Sequence, residues 1–220
     1  VVWVLLTLNI FVFAIEVMFG LLQRSPEWQM LVYRFGARPV VIVDAVFGSG
    51  QGFLAAVLTL FSSMFVHGSI THIGMNMLFL YIFADNIEDE IGHVPFLGFY
   101  LLCGLAGALL HILFNLRSPA PMIGASGAIS GVLGAYIIMF PRARVLTLVV
   151  FFIITMIEIP AYWFLAIWFG LQIFGGLGAL VGGGSGTAFW AHVGGFLMGV
   201  LLARIWLRYR PRRQRIVWWQ

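Results

Sequence analysis

Three stretches of this 220-residue chain set polar side chains among apolar and small residues. PMIGASGAISGVLGAY holds Ser126, and FWAHVGGFLMGV holds His192. HGSITHIGMNM holds His72 and Asn76, four positions apart and so on one face if helical. Hydrocarbon penalises polar and ionisable side chains, which makes those inside an apolar span functional suspects. A serine, a histidine and an Asn–His pair are also the parts of a nucleophile, its general base and an oxyanion site. Each part has a plainer reading as well. Ser126 can be a helix N-cap, because serine accepts first-turn N–H groups. His72 and Asn76 can be helix–helix hydrogen-bonding residues, which are common in membranes.

Glycines accompany the two central motifs. Gly127, Gly131 and Gly134 run along the Ser126 segment, and Gly195 and Gly199 follow His192 on its own helical face. Small residues at such spacing let helix backbones approach closely in lipid. If the Gly195–Gly199 face meets the Gly127–Gly131 face, His192 lies against Ser126. Packing explains the glycines; it leaves a histidine on the packed face unexplained. No Asp or Glu falls in the same layer, so the expected arrangement is a Ser–His dyad without the acid of a triad. Ser130, one turn after Ser126, is within reach of the imidazole. His67, His93 and His111 are read as structural.

The elements that carry these residues must lie in a membrane. Hydrophobic residues make up 62% of the chain and charged ones 9%, with mean hydropathy +1.03, against about 25% charged in soluble domains. The expected architecture is an all-α membrane protein with six transmembrane helices and a long, membrane-associated first loop, forming one domain over residues 1–220. The chain opens in VVWVLLTLNIFVFAIEVMF without Met, read as a first span whose leader has been trimmed. All 12 basic residues are Arg, and six lie between Arg204 and Arg215 directly after an apolar run. That is a cytoplasmic anchor by the positive-inside rule, not a nucleic-acid surface. Cys103 stands alone, so no disulfide framework exists.

With roughly 20 apolar residues per span, the first is expected at about 2–22 and the second from Ser69 to 83–87. The third is placed at about 95–114, and the fourth from Ser126 to before Pro141. A single full span is placed at about 161–180, preceded by a membrane-dipping loop VLTLVVFFIITM, and the sixth runs over about 188–207. FLAAVLTLFSSMFV, in the first loop, is expected to be an interfacial or partly inserted helix. With the Arg tail inside, parity brings Ser126, His192, His72 and Asn76 to the outer half of one layer.

The motifs GASG at Ser126, AHVGGFLMG at His192 and HGSITHIGMN from His67 resemble those of the rhomboid intramembrane serine proteases. Motif order, span number and the long first loop agree over nearly the whole chain. The resemblance implies that Ser126 is the nucleophile and His192 its general base, with His72, Asn76 and the Ser126 backbone N–H forming the oxyanion hole. Some members carry an aromatic residue one turn after the nucleophile, stacked on the histidine; this chain has Ser130 there.

The expected activity is cleavage of a peptide bond in or near the outer end of a substrate transmembrane helix. A small residue before the cut and helix-weakening residues after it are implied by resemblance. No metal or cofactor is expected. The expected partners are a transmembrane protein and the bilayer, and the oligomeric state is left open. The expected setting is a prokaryotic plasma membrane, with the site facing outwards and the C-terminus in the cytoplasm. The rivals are a non-proteolytic, substrate-binding rhomboid-like protein, and a haem protein using His72, His111 or His192.

Overall fold

The computed structural model describes residues 1–48, 52–150, 154–182 and 187–209. The described chain is mainly helical. Helix α1 (Val2–Met18) is followed by a short turn, then α2 (Pro26–Phe35), α3 (Pro39–Phe47) and α4 (Phe53–Ser62). Helices α5 (Ile70–Ile91), α6 (His93–Phe114) and α7 (Ser126–Met139) come next. Strands β1 (Arg144–Val150) and β2 (Ile154–Pro160) precede α8 (Ala161–Gly182) and α9 (Phe189–Tyr209). By length and composition α6, α8 and α9 can each cross a membrane. A fourth crossing arises if the bent pair of residues 53–65 and 70–91, angled at 82°, forms one span. Helices α1 and α7 are apolar but shorter.

Local signals account for several boundaries. Pro26 starts α2, and the Ser25 hydroxyl accepts the Trp28 N–H at 3.2 Å, an N-cap followed by proline at the first helical position. The Ser69 hydroxyl accepts the His72 N–H at 3.1 Å, so the cap of α5 also fixes the first turn that carries His72. The long connection expected after the first span carries three helices, α2, α3 and α4, the last of them in the FLAAVLTLFSSMFV segment expected to be helical. It is strapped to the segment before α7 by paired backbone bonds between Ala37 and Met122, at 3.0 and 2.8 Å.

One element departs from the all-α expectation. Where a membrane-dipping loop is expected, β1 and β2 pair as antiparallel strands, with Arg144 opposite Pro160 and Leu146 opposite Glu158. Runs such as RVLTLVV and ITMIEIP are rich in β-branched residues, which favour a pleated strand over a helix. Residues 151–153 of that expected loop lie outside the described residues. Of the expected Arg tail, Arg204 and Arg208 lie in α9, and the arginines from Arg210 onward lie outside the described residues.

The core is built around α7. Every residue from Gly127 to Tyr136 is buried, as expected for a helix apolar on all sides. Glycine makes this possible at two crossings with α9. A Cβ on Gly195 would run into the Gly127 carbonyl, and one on Gly199 into the Gly131 carbonyl. Gly131 also faces Cys103 of α6. Helix α8 is different: among its described residues it buries Ala161, Leu165 and Gly176. At the far end of α5 the Glu88 carboxylate accepts the Val2 N–H at 2.6 Å and pairs with His93.

Candidate active site

The close α7–α9 crossing brings together two residues 66 positions apart in sequence, with His192 Nε2 2.8 Å from Ser126 Oγ. Ser126 occupies the first helical position, Ala125 stands at the cap, and no side chain caps the helix. The hydroxyl is therefore engaged by the imidazole and not by first-turn N–H groups, which removes the N-cap reading. Those first-turn N–H groups have no partner within the helix.

The second ring nitrogen of His192 has its own partner. Nδ1 lies 2.7 Å from Gln172 Oε1, and Gln172 Nε2 donates to the Trp168 carbonyl at 3.3 Å. Both residues come from α8. The Trp168 ring also lies 6.0 Å from the imidazole, centroid to centroid, tilted by 35°. Ser130 does not reach the imidazole as expected: its hydroxyl turns back to donate to the Ser126 carbonyl at 2.6 Å. A hydroxyl one turn on finds the i−4 carbonyl closer than any side chain across the groove.

His72 and Asn76 come to the same place from α5. The Gly68 N–H lies 3.4 Å from His72 Nδ1. A nitrogen that accepts leaves the other to carry the proton, so Nε2 is the donor end. That end lies against Gly124, where an added Cβ would stand 2.6 Å from Nε2. Gly124 has φ of +115°, a conformation glycine adopts without the usual penalty, and its N–H donates to the Ser63 carbonyl at 2.8 Å. Asn76 is buried with its Nδ2 unpartnered within the protein. His72, Asn76, Ser126 and His192 line one cavity of about 950 Å³, together with Trp168 and Arg24.

The other histidines are placed differently. His67 is fully buried, its ring 5.1 Å from that of His72, and its backbone N–H donates to Glu16 of α1 at 2.9 Å. His111 lines the cavity, and His93 pairs with Glu88. The five glycines singled out from sequence, Gly127, Gly131, Gly134, Gly195 and Gly199, all lie at the α7–α9 crossing. Gln172, Trp168 and Glu16 were missed. Gln172 carried a readable signal, as a lone amide in a 22-residue apolar helix.

The arrangement can move a proton from a serine hydroxyl to an imidazole whose far nitrogen is held. It also brings the unpartnered Asn76 Nδ2 and the His72 ring to the cavity that this hydroxyl lines. Comparison with known proteins gives the family. The rhomboid domain family matches residues 54–209. The chain is 30% identical over 155 residues to "Rhomboid protein 1, mitochondrial" of Saccharomyces cerevisiae, covering 69% of this chain and 42% of that protein. It is 35% identical over 153 residues to "RHOMBOID-like protein 4" of Arabidopsis thaliana, covering 69% and 34%. Over 76 residues it is 38% identical to "Rhomboid protease GluP" of Bacillus subtilis, covering 34% and 14%. The chain thus spans well under half the length of the first two relatives. It is an integral membrane protein and belongs to the rhomboid family.

Proposed function

We propose that this chain is an intramembrane serine protease that cleaves a peptide bond in or near the outer end of a substrate transmembrane helix. The observation that carries the reading is the 2.8 Å contact between His192 Nε2 and Ser126 Oγ inside a membrane protein. In this reading Ser126 Oγ attacks the scissile carbonyl while its proton passes to His192 Nε2. The oxyanion is met by His72 Nε2–H, Asn76 Nδ2–H and the Ser126 backbone N–H, which act on charge that develops in the transition state. His192 then gives its proton to the leaving amine. Water, deprotonated in turn by His192, hydrolyses the acyl-enzyme and frees Ser126.

A helical substrate carbonyl is hydrogen-bonded and shielded, so the substrate must unwind locally before attack. The cavity beside Ser126, with His72, Asn76 and Ser130 in its wall, supports water access at that depth.

We read the chain as one domain with six crossings, α1, α5, α6, α7, α8 and α9, and with α2 to α4 as the membrane-associated first loop. The 14 residues of α7 reach about 21 Å at 1.5 Å per residue, less than a full bilayer core. That length fits a serine sunk below the outer surface. The Arg-rich end is assigned to the cytoplasm, with the site facing outwards. A prokaryotic plasma membrane remains our setting, although the mitochondrial name of the yeast relative does not fit it.

The deciding experiment is labelling of purified protein with a fluorophosphonate probe, alongside cleavage of a panel of transmembrane substrates. Wild type is expected to label and cleave, and Ser126→Ala to do neither while remaining folded. Equal labelling of both sinks the nucleophile assignment. A folded wild type that binds transmembrane segments but neither labels nor cleaves supports a non-proteolytic relative.

A further inference from the structure

We propose that Gln172 is the positioning residue of the dyad, locking His192 in the one tautomer that can act as a base toward Ser126. The proposal deepens the protease reading and rests on it. A neutral imidazole has one donor and one acceptor nitrogen. To accept the Ser126 proton, Nε2 must be bare, so Nδ1 must carry the hydrogen. Gln172 Oε1, 2.7 Å from Nδ1, is an acceptor at that position.

The orientation of the amide follows from its other end. Gln172 Nε2 donates to the Trp168 carbonyl at 3.3 Å. Flipping the amide would set its oxygen against that carbonyl oxygen and its NH2 against His192, losing one bond and holding the wrong tautomer. The Trp168 bond therefore selects which face of the amide His192 meets. Trp168 itself lines the same cavity beside the imidazole, so one turn of α8 supplies both contacts. Ser130, which points away to its own helix, makes no contact that could replace them.

Gln172 thereby takes the geometric half of the part an aspartate plays in a triad. It orients the ring and sets the tautomer, but a neutral amide adds no charge to favour the imidazolium that forms when Ser126 gives up its proton. Two consequences separate this role from simple packing. Removing the acceptor must slow chemistry without weakening substrate binding. Replacing it with a carboxylic acid, whose neutral form keeps a carbonyl oxygen for Nδ1 and an O–H for the Trp168 carbonyl, must preserve turnover.

The test compares wild type with Gln172→Met and Gln172→Glu in full-length, detergent-solubilised protein. Methionine has similar length and no amide. Its kcat and its rate of fluorophosphonate labelling are expected to fall about 10- to 100-fold, by analogy with removal of the partner that orients a metal-ligating histidine. KM should stay within about twofold, as for an interaction made mainly in the transition state. Gln172→Glu should keep kcat near wild type. Nitrogen-15 NMR of labelled histidines, with His192 assigned by its loss in His192→Gln, should show protonated Nδ1 in wild type and loss of that tautomer preference in Gln172→Met. Wild-type turnover and an unchanged His192 tautomer in folded Gln172→Met overturn the proposal. So does a Gln172→Glu protein that is folded but loses turnover. If wild type neither labels nor cleaves, the protease reading has failed, and the NMR comparison still decides whether Gln172 holds the ring.

Discussion

The Glu16 carboxylate of α1 accepts the backbone N–H of His67, at 2.9 Å from one oxygen and 3.2 Å from the other. Both residues are fully buried. This acidic side chain lies beside the start of α5 and bonds backbone, not the imidazole of His192. It ties the first helix to the segment that presents His72. Its role is therefore structural.

That assignment predicts the outcome of an alanine scan over all eight acidic residues. No variant should reproduce His192→Ala, meaning a folded protein without turnover. Glu16→Ala should instead lower thermal stability, by about 1–3 kcal/mol for an unsatisfied buried N–H, and Glu16→Gln should recover most of it. An acid whose removal abolishes turnover in a folded protein would replace the dyad with a triad. Melting curves and probe labelling on the same preparations separate the two cases.

Loss of an oxyanion donor should act on turnover. His72→Ala and Asn76→Ala are each expected to lower kcat, by up to about a hundredfold as for single donors elsewhere, with KM little changed. The effect of each is softened because the other side chain and the Ser126 N–H remain. A raised KM at constant kcat in both variants would make these residues substrate-binding groups.

The glycines predict opposite signs for the same kind of change. At Gly199 a side chain meets the Gly131 carbonyl, so Gly199→Val should destabilise by at least the about 1–3 kcal/mol typical of overpacking, and activity should fall with the fold. At Gly178 nothing lies within 4 Å of an added Cβ. Gly178→Ala should be neutral or stabilising by up to about 1 kcal/mol, from better helix propensity. Comparable losses at both positions would refute the close α7–α9 crossing as the cause.

Topology can be read by cysteine labelling in a Cys103→Ala background. Arg117→Cys, before α7, and Thr187→Cys, before α9, should react from the outer side. Arg142→Cys, after α7, should react from the cytoplasmic side. Labelling of positions 117 and 187 from opposite faces would require no span or two spans between α7 and α9 instead of α8 alone, against the six-span reading.

Much of this protein was legible in its residue types. Apolar runs of helical length mark α6, α8 and α9 to within a few residues, because hydrocarbon tolerates backbone only when its own hydrogen bonds are closed. Ser126, His192, His72 and Asn76 stood out for the same reason, as polar groups where polarity is penalised. Glycine spacing even indicated which faces of α7 and α9 should meet.

What tertiary structure decided lies between segments. Periodicity could not tell that the apolar stretch after Pro141 pairs as a hairpin, since short β-branched runs fit a strand or a buried helix until a partner strand exists. Nor could it tell that Ser130 bonds its own helix, or that Glu16 serves the backbone of His67, because a side chain's partner depends on distances across the fold. Gln172 is the clearest case. Its amide was visible as a polar residue in an apolar helix, but the 20 positions separating it from His192 carry no directional information. Only the placement of α8 against α9 turns that amide toward Nδ1, and only the Trp168 carbonyl decides which of its two ends arrives there.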